Sequence, residues 1–182
     1  MTSSGFDRAP TVETERLRLR AHGVDDLPFC AAMWRDEAVV RFIGGRAFTR
    51  EEVWARMLRY TGMWTMVGHG FWAIEEKASA RLVGEVGVME ARRDIEPSFE
   101  GEPEIGWALV PVAHGKGYAS EAVGAALAWA DRYLDAPCQV CIIDPGITAS
   151  IRLAEKFGFR ERALTTYHGG ETIQFERLRR NG

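Results

Sequence analysis

The feature that most restricts this chain is the run EIGWALVPVAHGKGYA at residues 104–119, where an alternating apolar segment meets a two-glycine turn and passes directly into a helical pattern. Ile105, Trp107 and Leu109 alternate, which predicts a strand over 104–110 that Pro111 ends. Ala119, Ala122, Val123, Ala126, Leu127 and Ala130 recur at helical spacing, so a helix with a small-residue face follows, ending near 131–134. Between the two, Gly115 and Gly117 remove the Cβ atoms that would hold a ligand away from the backbone. Backbone N–H groups can then point one way at a helix N-terminus, whose dipole adds positive potential. His114, Gly115, Lys116, Gly117, Tyr118 and Ala119 therefore form a candidate cradle for a pyrophosphate. The plainer alternative is a tight turn shaped by its glycines and nothing more.

The flanking pattern supplies a single mixed α/β domain. Residues 15–21, ERLRLRA, alternate and predict a half-buried antiparallel strand. Asp25 can cap a short helix through Trp34, with Pro28 in its first turn. Thr49 and Glu52 form a capping box, and Phe48 and Val53 a staple, at the start of a second helix. Strands are predicted at 71–75 and 82–89, then a long loop at 92–103 under which a substrate could lie. After the cradle helix come a short apolar strand at 139–143, a helix at 149–157 capped by Thr148 and closed by Gly158, and two strands bent at Gly169 and Gly170. The tail LRRNG reads as loose. The order is β-α-α-β-β-β-α-β-α-β-β, with no repeat or linker across residues 1–182.

Composition removes several classes. A hydrophobic share of 46% and a charged share of 27% fit a folded, water-soluble protein, and a net charge of -3 without a Lys/Arg run speaks against nucleic acid as a partner. The start MTSSGFD lacks a basic and an apolar leader region, and the uncharged stretch at 60–74 is interrupted by Gly62, Gly68 and Gly70, so neither secretion nor a membrane is expected and the cytoplasm is. Cys138 and Cys141 form a CxxC, but no second Cys or His pair accompanies it, so two buried strand cysteines are favoured over a zinc site and no metal is expected.

Which pyrophosphate ligand fits is decided by chain order. Gly115, Gly117 and Ser120 approximate GxGxxG, yet a dinucleotide fold needs about six parallel strands, and antiparallel-looking elements precede this unit. A nucleoside-triphosphate loop is excluded because GxxxxGK[ST] occurs nowhere. Coenzyme A remains.

At this point TERLRLR, LVGEVGV, EIGWALVPVAHGKGYASEA and ASIRLAEKFGF together resemble the GNAT acetyltransferase superfamily, in particular its RimJ/RimL-type branch, over a core of about 14–178. The resemblance implies a mostly antiparallel central sheet flanked by helices and acetyl-CoA as cosubstrate. It implies that Leu109 and Val110 pair with the pantetheine arm like an added strand, while amides of 115–119 hold the pyrophosphate. The family pattern has Gln, Arg or an aromatic residue where His114 stands, Asn at Ile147, and in many members a Tyr general acid at Ala154. Ser150 is then the available hydroxyl, and the resemblance gives it the leaving thiolate; bonding to backbone in the first helical turn is the alternative.

Acetyl transfer to a primary amine needs a neutral nitrogen, an oriented thioester, charge stabilisation and a proton for sulfur. Glu104 is the first candidate for base or amine anchor, placed at the acceptor channel by the resemblance, and Glu85 is the second; each could instead be a solvated strand-edge carboxylate. Cys138 and Cys141 have no neighbouring His to activate them. The acceptor is a protein N-terminus or a small amine, with a non-catalytic acyl-CoA-binding module as the rival class and a dinucleotide-binding oxidoreductase as a third. A homodimer is compatible with the sequence.

Overall fold

A computed structural model describes residues 6–179. Eight strands form one sheet in the order β1-β2-β3-β4-β5-β6-β8-β7. They are β1 (Val12–Glu13), β2 (Leu17–Arg20), β3 (Phe71–Glu76), β4 (Arg81–Met89), β5 (Glu104–Leu109), β6 (Cys138–Ile143), β7 (Arg160–Tyr167) and β8 (Gly170–Leu178). Five helices complete the fold: α1 (Leu27–Met33), α2 (Glu37–Val40), α3 (Arg50–Val67), α4 (Tyr118–Tyr133) and α5 (Thr148–Lys156). Every strand pair is antiparallel except β5 with β6. This mostly antiparallel sheet excludes the dinucleotide fold, which needs parallel halves.

Helices cover both faces. On one, α4 lies close on the sheet through Ala122, Ala126 and Ala130, all 0% exposed, against Leu17, Leu19, Trp72, Ile74 and Val86. The other face of β5 carries Ala108, which packs with Cys30, Trp34 and Val53 from α1 and α3. Four of the six tryptophans are core; Trp54 is exposed and Trp107 is half-buried.

Local signals account for most boundaries. Thr49 accepts from the Glu52 N–H and Glu52 from the Thr49 N–H, the capping box expected at the start of α3. That helix runs through Gly62 and ends at Gly68, which takes the left-handed conformation (φ +77°). His168 and Gly169 both have positive φ, the two-residue hairpin turn that joins β7 to β8.

Other expectations are corrected. Asp26, not Asp25, organises the start of α1: it accepts from the Gly23 N–H at 2.7 Å and binds Arg20 through both oxygens. Thr148 lies inside α5, whose N-cap is Ile147, while Asp144 holds the preceding turn by accepting from the Gly146 N–H. The loop after β4 is packed down by Ile95 and Phe99 onto Val140, while Arg93, Asp94, Glu96, Ser98, Thr165 and Thr166 line an open groove beside it. Leu178 ends β8 and the Arg179 N–H donates to the Pro137 carbonyl, so the tail is tied that far; residues 180–182 lie outside the described residues.

Candidate active site

The site begins where β5 and β6 part. Among the described residues these parallel strands share one paired position, Glu104 with Val140, next to a 2.9 Å bond from the Val140 N–H to the Pro103 carbonyl. Beyond it the β6-facing edge of β5 is left without a strand partner. The phase of that edge follows from the other side. The Val110 N–H donates to Val83 on β4 at 3.0 Å, so even-numbered positions of β5 are turned to β4 and Ile105, Trp107 and Leu109 turn their backbone groups into the gap.

This corrects the expectation for Val110. Its N–H is taken by Val83 and its carbonyl accepts from the Ala113 N–H. The open edge belongs instead to Leu109 and Trp107. His114 Nε2 lies 3.0 Å from the Leu109 carbonyl oxygen, so the imidazole guards one edge group.

The gap leads to the cradle. Gly115 (φ +73°) and Gly117 (φ +80°) are both left-handed, a conformation L side chains rarely adopt. A Cβ built on Gly115 meets nothing within 4 Å, so the protein itself leaves that face open. The first bond of α4 runs from the Glu121 N–H to the Gly117 carbonyl, which leaves the amides of Tyr118, Ala119 and Ser120 without helical partners. Three free amides at the positive end of a 16-residue helix fit a pyrophosphate.

Side chains hold the turn from outside. Arg16 donates to the Lys116 carbonyl at 2.8 Å and pairs with Glu121 at 2.7 Å. The Tyr118 hydroxyl donates to Glu76, so Tyr118 serves the cradle through its N–H. Lys156 Nζ reaches Ser120 Oγ at 2.6 Å and brings an ammonium beside the first turn of α4. Its role was not read from the sequence, because the contact spans α4 and α5.

The carboxylates separate clearly. Glu85 and Glu104 project from the same face of the sheet, since their cross-strand partners Ala108 and Met89 follow the same alternation. Glu85 stands opposite Ala108, four residues along β5 from Glu104, roughly 13 Å. Glu104 is 2% exposed and both its oxygens are held by Arg93, at 2.6 and 2.7 Å, with Arg93 also donating to the Tyr167 hydroxyl. A carboxylate with both oxygens occupied is poorly placed to take a proton, so Glu104 does not match its expected role as base. Glu85 accepts from the Tyr60 hydroxyl at 2.6 Å through one oxygen, and its other oxygen makes no hydrogen bond among the described residues.

Ser150 is half-buried on the helical face that carries Ile147 and Ala154, at the β6 rim of the gap. Phe42, from the turn after α2, packs on Gly146 so closely that a Cβ there would lie 2.8 Å from its ring. The cysteines take no part. Three residues apart on one strand, Cys138 and Cys141 point to opposite faces, and burial pushes the Cys138 thiol up to about 11.

A parted pair of parallel strands feeding a glycine turn at a helix N-terminus makes a groove that ends on an anion site. The profile of the Acetyltransferase (GNAT) domain matches residues 16–160, and the chain belongs to this family of acyltransferases. It is similar to a GNAT-family acetyltransferase structure from Bordetella pertussis, with 31% identity, a TM-score of 0.83, and coverage of 93% of this chain and 100% of that one. The ribosomal-protein-S5-alanine acetyltransferase of Vibrio fischeri shares the fold at 16% identity and TM-score 0.77, over 95% of this chain and 98% of that one. So does the spermidine N-acetyltransferase of Vibrio cholerae in complex with CoA and spermine, at 16% and 0.71 over 91% and 97%. Among the described residues no helix is long and apolar enough to cross a membrane.

Proposed function

We propose that this enzyme moves the acetyl group of acetyl-CoA directly to the nitrogen of a primary amine. The single observation that carries the reading is the unpaired edge of β5 at Trp107 and Leu109, running into the free amides of Tyr118, Ala119 and Ser120. A pantetheine arm pairs with such an edge as an added strand, and a pyrophosphate ends on the helix N-terminus. The coenzyme, when bound, supplies the activated thioester.

The chain's own groups do the rest. Glu85, level with Ala108 and so beside the edge, anchors the amine and accepts its proton. Glu104 acts as a positioning residue: its pairing with Arg93 ties the loop to the point where β5 and β6 part. Ser150, on the opposite rim, donates to the leaving sulfur. No side-chain nucleophile is required, and burial raises the Cys30 thiol to about 12, well out of the range of a thiolate at neutral pH. The acceptors in the names of the two distant neighbours, a ribosomal-protein alanine and spermidine, are both amines, which supports this class; the RimJ/RimL-type branch is the finer reading.

Release of free thiol from acetyl-CoA, followed with peptides and small amines, tests the proposal. Amine-dependent release is expected, and an N-acetyl product by mass spectrometry. Binding of acetyl-CoA with no amine-dependent release from any acceptor class contradicts it.

A further inference from the structure

Beside Glu85 stands a set of polar groups that the fold positions and then leaves unfinished. His22 follows β2, and its ring lies 5.6 Å from that of Tyr60 at an interplanar angle of 33°. Both its nitrogens are buried and neither has a hydrogen-bond partner among the described residues. A neutral imidazole carries one donor and one acceptor, and buried polar groups are as a rule satisfied, so two orphaned nitrogens on one ring leave room for a ligand's polar atoms.

Arg56 adds unpaired donors at the surface next to it. Its guanidinium carbon lies 3.9 Å from the Trp34 ring centroid, and Nε donates to the Tyr60 hydroxyl at 2.6 Å and reaches Glu85 at 3.4 Å. Its two terminal nitrogens have no hydrogen-bond partner among the described residues and reach the surface, where the side chain is 19% exposed. A structural network closes its own bonds. Here the inner ends are fixed on Tyr60, which stacks on Phe71 at 4.3 Å, and the outer ends of Arg56, His22 and Glu85 are open.

We propose that His22, Arg56 and Glu85 line the acceptor pocket and that it selects an amine bearing a carboxylate on the same small molecule. This rests on the acetyltransferase reading above. The amine sits at the free oxygen of Glu85, within one strand spacing, about 5 Å, of the β5 edge that would hold the thioester. The carboxylate meets the terminal nitrogens of Arg56, whose planar fork suits it. His22 completes the contact with whichever nitrogen the ligand requires. A polyamine is disfavoured, because its second ammonium would fall beside Arg56.

Thiol release with the proteinogenic L-amino acids, their α-carboxamides and spermidine reads the proposal directly, with acetyl-CoA affinity measured separately by calorimetry. At least one free amino acid is expected to exceed its own carboxamide in kcat/KM by about 10- to 100-fold, the range of one charge-assisted contact. In Arg56→Lys that ratio should shrink through KM of the amino acid while KM for acetyl-CoA holds. His22→Phe keeps the ring and removes the orphaned nitrogens, so acceptor KM should rise while thermal stability is kept or raised. Preference for the carboxamides or spermidine, or acetyl-CoA binding without turnover of any amino acid, overturns the pocket and leaves the acetyltransferase reading standing. Failure to bind acetyl-CoA at all overturns both.

Discussion

The two glutamates of the acceptor face show how far a residue's neighbours decide its work. Glu104→Gln leaves the Arg93 guanidinium without its carboxylate in a site where the acid is 2% exposed, so a stability loss of about 3 kcal/mol is expected in denaturant titration. Glu85→Gln keeps an oxygen for the Tyr60 hydroxyl, so it should be nearer neutral in stability but lower kcat more than affinity for acetyl-CoA. The reverse order would return the base to Glu104. Sequence alone ranked these residues the other way, because an ion pair between a loop arginine and a strand carboxylate is a tertiary fact. The Trp107 and Leu109 parity was readable in principle from the period of two, yet which parity faces the gap depends on the Val110 bond to β4.

Two buried histidines add a pH dependence. Burial lowers the pKa of His22 and of His69 below the ordinary 6.5. A depressed folded pKa means the folded state binds fewer protons than the unfolded chain. The stability contribution is therefore complete above about pH 6.5 and is lost as pH falls from there through the folded values. Melting temperature should drop between pH 7.5 and 5.5, and His22→Phe should flatten that drop; an unchanged slope would place the effect elsewhere.

At the scale of elements, helix and strand type were legible wherever a cap and a period agreed. The capping box at Thr49, the small-residue face of α4 and the hairpin at Gly169 all formed as their chemistry dictates. Short pieces escaped notice: β1 has two residues and α2 four, too few to show a period. The turn into α4 carries the clearest test. Gly117→Ala places a Cβ 3.3 Å from Arg16 Nη2 in a left-handed residue, so a stability loss of roughly 1–2 kcal/mol is expected. Acetyl-CoA affinity should fall further than that strain explains, since the amides that follow are re-aimed. Retained affinity would make the glycine a turn former alone.

Across the whole molecule, one topological event organises the rest. Of the six antiparallel pairings, the hairpins β3–β4 and β7–β8 are readable from alternation and turn chemistry, but the parting of β5 from β6 arises from strands 34 residues apart at their starts, and no local pattern announces it. Helices α1 and α3 close one face around the Glu85 side, α4 closes the other, and the gap between is where coenzyme and acceptor would meet. Amide hydrogen exchange with and without acetyl-CoA tests this account most directly. It predicts new protection at Trp107, Leu109, Tyr118, Ala119 and Ser120, with Val110 protected in both states and NAD without effect. Unprotected Trp107 and Leu109 amides at saturating acetyl-CoA would contradict it.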